Sequence, residues 1–270
     1  MRSDRAFRSS SEGVAVPSIL AVESISKNYG SAPVLDGLKF EQRPGEFLSI
    51  VGPSGCGKST LLRCIASLMQ PNSGSVRHKG NTFAEPPSWL SIVFQDYSRA
   101  LFPWLTVRQN VAFGLHHIGS RERDERVQAA VQAVNLTHAI DLYPWQLSGG
   151  MQQRCSLARS IVVRPELLLL DEPFASVDAQ TRIDLQDLVI DLSRRMNLST
   201  LLVTHDVEEA VYMSDRIVVL STRPARVVEE ITVDLPYPRD QLATKETPDF
   251  LRLRHQVYTL IRAQAKSNNN

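Results

Sequence analysis

The chain has 270 residues, 43% of them apolar, which is enough for one large domain, or one plus a subdomain, around a sizeable core. Thirty Lys and Arg against 29 Asp and Glu leave a formal charge of +1, so composition offers no basic footprint for nucleic acid. The three cysteines, Cys56, Cys64 and Cys155, lack CxxC spacing and fit small buried residues in a reducing compartment better than disulfides.

Residues 1–18 carry Arg and Ser without the apolar run of a signal peptide and are expected to form a disordered arm. Nowhere do about 18 consecutive apolar residues occur, so any membrane role is expected to be peripheral. From 19 to 51, apolar and polar residues alternate between Gly and Pro breaks. Leu20, Val22, Ile25, Leu38 and Phe40 predict short strands ahead of a buried strand at 47–51.

Residues 52–59 then read Gly-Pro-Ser-Gly-Cys-Gly-Lys-Ser, a complete G-x-x-x-x-G-K-[ST] phosphate loop, followed by the helical pattern Leu61-Leu62-Arg63-Cys64-Ile65-Ala66. Strand, loop and helix in that order place unpaired N–H groups at a helix N-terminus, where the helix dipole favours a phosphate chain. Gly52, Pro53, Ser54, Gly55, Cys56, Gly57, Lys58, Ser59 and Thr60 are the candidate nucleotide-binding set. Lys58 would neutralise the terminal phosphates and the Ser59 hydroxyl would hold Mg²⁺. Cys56 reads as a tolerated small residue whose alkylation should block nucleotide sterically. The loop points to a nucleoside triphosphate, ATP foremost, but it is shared by kinases, GTPases and motors.

Further strands are predicted at 91–94, 167–170, 200–203 and 216–220, several of them continuous apolar runs typical of a sheet covered on both faces. Helical spacing joins Val127, Ala130, Val131 and Val134, and again Leu185, Leu188, Val189 and Leu192. The alternation predicts an α/β domain with a mainly parallel sheet. Residues 102–139 hold helix without strand, bounded by Pro103 and Tyr143-Pro144, and suggest an inserted helical subdomain running to about 165. After Thr222, Pro224, Pro236, Pro238 and Pro248 punctuate a C-terminal extension over 223–270 with one helix from Asp249 to about Ala265 and a disordered Ser-Asn-Asn-Asn end.

Three further segments carry chemistry. Leu167–Leu170 runs into Asp171-Glu172-Pro173, which puts two carboxylates at the carboxyl end of a buried strand, where open α/β sheets bind ligands. Asp171 can reach Mg²⁺ through water, and Glu172 can polarise a water for attack on the terminal phosphate. His205 follows the strand at 200–203 and could bond the γ-phosphate or that water. Ser148-Gly149-Gly150 opens a helix with no strand before it and makes a second anion-binding N-terminus.

In this order, over nearly all of residues 19–222, these segments resemble the ATP-binding subunit of ABC transporters, with Ser148-Gly149-Gly150 inside that family's signature motif. The resemblance implies a phosphate-loop NTPase core with a mainly parallel sheet, an N-terminal antiparallel β subdomain and an inserted α-helical subdomain. It also implies a head-to-tail pair of chains in which the signature of one closes over ATP on the phosphate loop of the other. By position, Tyr29 would stack on adenine and Gln95 would contact Mg²⁺ and the reacting water. Asp178 would communicate across the dimer, and His205 would be the switch histidine.

Two departures from the family pattern are Met151, where the signature usually has glutamine, and Ala175-Ser176-Val177-Asp178 in place of Ser-Ala-Leu-Asp. They bear on contacts across the dimer, not on a reacting group. The segment Gln95 to Trp104 lies where the family receives its integral membrane permease. Its Phe102 and Trp104 suit either a docking groove or an anchor of the helical subdomain.

The phrase Phe102-Pro103-Trp104-Leu105-Thr106-Val107, with Asp171-Glu172-Pro173-Phe174 and the signature containing Met151, is similar to the branch that imports nitrate, sulfonate, taurine and related small anions. That branch implies an ATPase at the cytoplasmic face of the inner membrane, served indirectly by a solute-binding protein outside. Relatives that act on nucleic acid or ribosomes usually carry two nucleotide domains, a long coiled coil or zinc motifs. This chain has one phosphate loop, no heptad array and no CxxC, so no nucleic-acid partner is expected.

Overall fold

The computed structural model describes residues 18–96 and 100–267, with side chains as far as Gln264. The predicted arm, apart from Ser18, the tail past Ser267 and positions 97–99 of the predicted docking segment lie outside the described residues.

Strands β1 (Leu20–Tyr29), β2 (Ala32–Gln42), β4 (Ser73–His78) and β5 (Asn81–Thr82) form an antiparallel sheet in the order β2-β1-β4-β5. Strands β3 (Phe47–Val51), β6 (Leu90–Val93), β7 (Leu167–Asp171), β8 (Ser199–Thr204), β9 (Arg216–Leu220) and β10 (Val227–Thr232) form a second sheet in the order β10-β9-β3-β8-β7-β6, parallel except for β10. The helices are α1 (Lys58–Ile65), α2 (Val107–Ala112), α3 (Ser120–Ala133), α4 (Gly149–Ile161), α5 (Ala179–Arg195), α6 (Val207–Met213) and α7 (Pro248–Ser267).

The continuous apolar strands have a physical cause. Successive side chains of a strand point to opposite faces, and both faces of this sheet are covered. Leu168 and Leu170 of β7 enter a core shared with α3, α4 and α5, whereas Leu167 and Leu169 enter the core shared with α1 and the antiparallel sheet. Phe47 and Val51 of β3 face the first core, Leu48 and Ile50 the second.

Three features differ from the reading of the sequence. The predicted short strands at the start are 10 and 11 residues long, joined through the Tyr29–Ala32 pairing and continuous across register shifts around Ile25 and Lys27. The β4–β5 hairpin left no alternation to read, because of Ser73–His78 only Val76 is buried. The extension past Thr222 joins the main sheet: β10 pairs antiparallel with β9, although only Ile231 of it is buried. Helix α7 then seats Phe250, Leu253 and Val257 in the core against α6 and β9. Between them the Tyr237 ring is held by the guanidinium groups of Arg194 and Arg239, 3.7 and 4.0 Å from its centroid.

Among the described residues of the predicted docking segment, the aromatic side chains Phe102 and Trp104 differ in setting. Phe102 is half-buried, its ring 4.5 Å from that of Phe113 and under the Arg159 guanidinium at 4.8 Å, so it anchors the helical subdomain. Trp104 is 69% exposed. No helix among the described residues is long and apolar enough to cross a membrane.

Register lines up the functional segments. Val51 pairs with Thr204 and with Val219, Asp171 with Val203, and Val93 with Leu170. The carboxyl ends of β9, β3, β8, β7 and β6 therefore form one row, and the chain leaves them into the phosphate loop, His205, Glu172 and Gln95.

Candidate active site

A cavity of about 440 Å³ opens at this row, walled by Tyr29 and Val34 from the β1–β2 hairpin, Ser54, Gly55, Gly57, Lys58, Ser59 and Thr60 from the loop, and Glu172, His205 and Arg223. Gly57 caps α1 at φ 119°, where a Cβ would lie 2.8 Å from Val34 Cγ1 and 2.9 Å from Leu35 Cδ2. Only glycine meets both demands, a left-handed backbone and close approach to β2. Lys58 is almost fully buried, and its Nζ donates to the carbonyls of Gly52 at 3.0 Å and Pro53 at 3.2 Å. An ammonium has three donors, so one remains for a phosphate without dismantling the loop.

Cys56 sits in the loop but outside the cavity wall. Its side chain is 1% exposed, and a Cβ on Gly52 would come within 3.2 Å of its sulfur. Burial pushes its thiol above the ordinary range, so it is a poor nucleophile toward alkylating agents.

Ser59 donates from Oγ to Asp171 Oδ1 at 3.1 Å, joining the start of α1 to the end of β7. Burial pushes the Asp171 carboxyl above its usual range, the Ser59 hydroxyl pulls it back, and the neighbouring Glu172 carboxylate raises it further. A cation beside Asp171 and Ser59 would relieve that cost, so the pair fits a divalent metal. Among the described residues no three His, Cys, Asp or Glu side chains converge on one point. The donor set, one carboxylate and one hydroxyl, suits a metal that arrives already bound to phosphates.

Glu172 leaves the β7 ladder at φ 45°, a left-handed conformation rare outside glycine, while its N–H donates to Val203 O at 2.9 Å. The turn delivers its carboxylate to the cavity, where Oε2 lies 3.1 Å from His205 Nδ1. Gln95 is exposed two residues beyond β6 and is not part of the cavity wall.

The Ser148-Gly149-Gly150 turn also stands apart from that wall. Ser148 caps α4 by accepting the Met151 N–H at 3.3 Å; Ser148 and Gly149 are exposed. A Cβ on Gly150 would fall 2.5 Å from Thr181 Cγ2, so the glycine permits α4 to lie against the start of α5. Asp178 caps α5 by accepting the Thr181 N–H at 3.0 Å, and these hydrogen bonds hold its carboxyl below the usual range. Gln153, fully buried in α4, donates to Pro173 O at 2.8 Å, directly linking the helix of the glycine turn to the segment after Glu172. Its place one turn into α4 was legible, but its partner was not.

Glu209 on α6 also escaped the reading of the sequence. It accepts from Thr204 Oγ1 at 2.7 Å and from Gln186 Nε2 at 3.3 Å, on a small cavity shared with Arg182, Asp206, His205 and Glu172. Burial, reinforced by Asp206 and opposed by the Thr204 hydroxyl, pushes its carboxyl from 4.5 up to about 6. The folded chain thus binds this proton more tightly than the unfolded one. The stability it contributes is full below pH 4.5 and lost as pH rises through 6. Urea unfolding should show the wild-type advantage over Glu209→Gln shrinking by about 2 kcal/mol between pH 4.5 and pH 7.5. A pH-independent difference would show that Glu209 titrates normally.

The cavity thus joins a phosphate loop to a carboxylate and an imidazole at one sheet edge. Residues 35–175 match the family model described as "ABC transporter". The chain is 44% identical over 241 residues to the "Putative ATP-binding protein" of Brucella abortus (strain 9-941), covering 88% of this chain and 92% of that one. It is 42% identical to the nitrate import ATP-binding protein NrtC of Synechococcus elongatus over 88% of this chain, which spans 37% of that longer protein. The dimeric post-hydrolysis structure of the ATP-binding cassette MJ0796, bound to ADP and Pi, superposes with a TM-score of 0.69 at 27% identity, over 79% of this chain and 98% of that one. The chain belongs to the ABC transporter family, as one of its ATP-binding, ATP-hydrolysing subunits.

Proposed function

We propose that two copies of this chain work head to tail at the cytoplasmic face of a membrane and hydrolyse MgATP to drive import of a small anion through a separate permease. The observation that carries this reading is a division of the site. Tyr29, the phosphate loop, Glu172 and His205 share one cavity, while Ser148-Gly149-Gly150, the other anion-binding turn, lies outside it with Ser148 and Gly149 exposed. An exposed anion site with no anion-binding partner in its own chain is what a second copy would use. The dimeric cassette with ADP and Pi supports the pairing, and the relative named for nitrate import supports the direction and the class of solute.

In this reading Lys58 and the N–H groups at the start of α1 bind the phosphates, and Tyr29 stacks on the base. Ser59 and Asp171, with Gln95 through its side-chain amide, would hold Mg²⁺, which when bound neutralises the charge on the phosphates. Glu172 accepts the proton of the attacking water, and His205 orients that carboxylate through its Nδ1 contact. Asp178 and the signature turn meet the partner's cavity. Exposed Trp104, close after Gln95, offers the permease an aromatic anchor, and a solute-binding protein delivers the anion from the far side.

The tagged full chain, expressed with its neighbouring genes, should co-purify with an integral membrane protein. In proteoliposomes the assembly should take up a labelled anion from a panel of nitrate, bicarbonate and taurine only when ATP is supplied. Recovery with RNA or ribosomes instead would sink the proposal.

A further inference from the structure

One charged wall residue of the cavity has no part in the scheme above. Arg223 comes three residues after β9, and β9 is the neighbour of β3 on the side away from β8, so the chain must turn back at the same sheet edge as the phosphate loop. The turn is strapped to β2. Ala225 donates its N–H to Val34 O at 2.8 Å and accepts the Asp36 N–H at 3.0 Å, and Arg226 forms an ion pair with Asp36. Arg223 itself donates from Nε to Pro33 O at 2.9 Å.

That single bond decides its chemistry. A backbone carbonyl positions a guanidinium without cancelling its charge, and Nη1 and Nη2 make no hydrogen bond to a described residue. The anchor also decides its place. Pro33 pairs with Asn28, next to the Tyr29–Ala32 pair, so the guanidinium is anchored on the hairpin that carries Tyr29. A planar cation there can lie on a purine face and donate to ribose hydroxyls, where a lysine could do neither with the same geometry.

We infer that Arg223 is a nucleotide-binding residue that holds the base and ribose end of ATP in the cavity it shares with Tyr29. The inference rests on that cavity being the nucleotide site. Binding to the full-length chain, measured by calorimetry with MgATP and, separately, with inorganic tripolyphosphate, distinguishes the two. Arg223→Ala and Arg223→Gln should each weaken ATP about tenfold and leave tripolyphosphate unchanged. Arg226→Ala, which loosens the same strap without touching the cavity, should leave both unchanged.

The inference is overturned if Arg223→Ala binds ATP as the wild type does. Equal weakening of tripolyphosphate would overturn it by moving the contact to the phosphates, and equal weakening of ATP by Arg226→Ala would reduce Arg223 to a strut. Lys58→Ala should weaken both ligands. If it weakens neither, the cavity is not the nucleotide site, and both readings fall together.

Discussion

Glu172→Gln should lower steady ATP turnover in the assembled transporter by about 10²–10⁴-fold while leaving ATP affinity near the wild-type value. The substitution is nearly isosteric and keeps an oxygen that can accept from His205, whose Nδ1 lies 3.1 Å away, so orientation survives and basicity does not. The backbone is a lesser risk, because the turn at Glu172 is closed by main-chain bonds, to Val203 O at 2.9 Å and from the Ala175 N–H at 3.2 Å. Single-turnover and steady-state assays on the same preparation separate the alternatives. Undiminished turnover would remove Glu172 from the role of base, and a parallel loss of affinity would make it a binding residue.

The second large effect belongs to the pair of chains. Ser148→Arg and Lys58→Ala should each abolish turnover in a pure dimer, by about a hundredfold or more, because one blocks the turn and the other removes the ammonium of the phosphate loop. Mixed in equal amounts, the two inactive proteins should regain activity. A heterodimer pairs the intact loop of the Ser148→Arg chain with the intact turn of the Lys58→Ala chain. If each site were complete within one chain, the mixture would never exceed the sum of its parts. Ser148 also caps α4 through Met151, so the arginine variant should lose about 1 kcal/mol of stability, and a melting curve must show it folded at the assay temperature.

The parts of the site that could be read from the chain alone are those whose chemistry is local. A phosphate loop is a contiguous run whose glycines, lysine and serine act through their own backbone and the helix they begin. Gly57 at φ 119° and Lys58 bonded back to Gly52 show how much of that unit is settled within a few residues. The buried strands were equally legible, since a sheet with two covered faces favours apolar residues on both, with Ser49 of β3 and Thr200 of β8 among the few buried polar exceptions. β10 and the β4–β5 hairpin were not, because each takes its order from a neighbouring strand and contributes a single buried side chain.

The residues that passed unnoticed have in common that their partners are distant in the chain. Glu209 is an ordinary helical glutamate until Thr204 and Gln186 enclose it, and Gln153 is an ordinary glutamine until Pro173 takes its amide. Arg223 looked like the start of an extension. Only the placement of β9 beside β3 brings it to the wall of the cavity.

By itself, then, the sequence determined the class of ligand and which segments form the buried strands that end at the candidate site, because those depend on motifs read within one segment and on apolar runs. The tertiary structure alone decided which groups meet. Register aligned Val51, Thr204 and Asp171 so that Glu172 and His205 face the loop, and it left the Ser148-Gly149-Gly150 turn outside that cavity. Such meetings are set by pairing between strands far apart in the chain, and no local propensity encodes them.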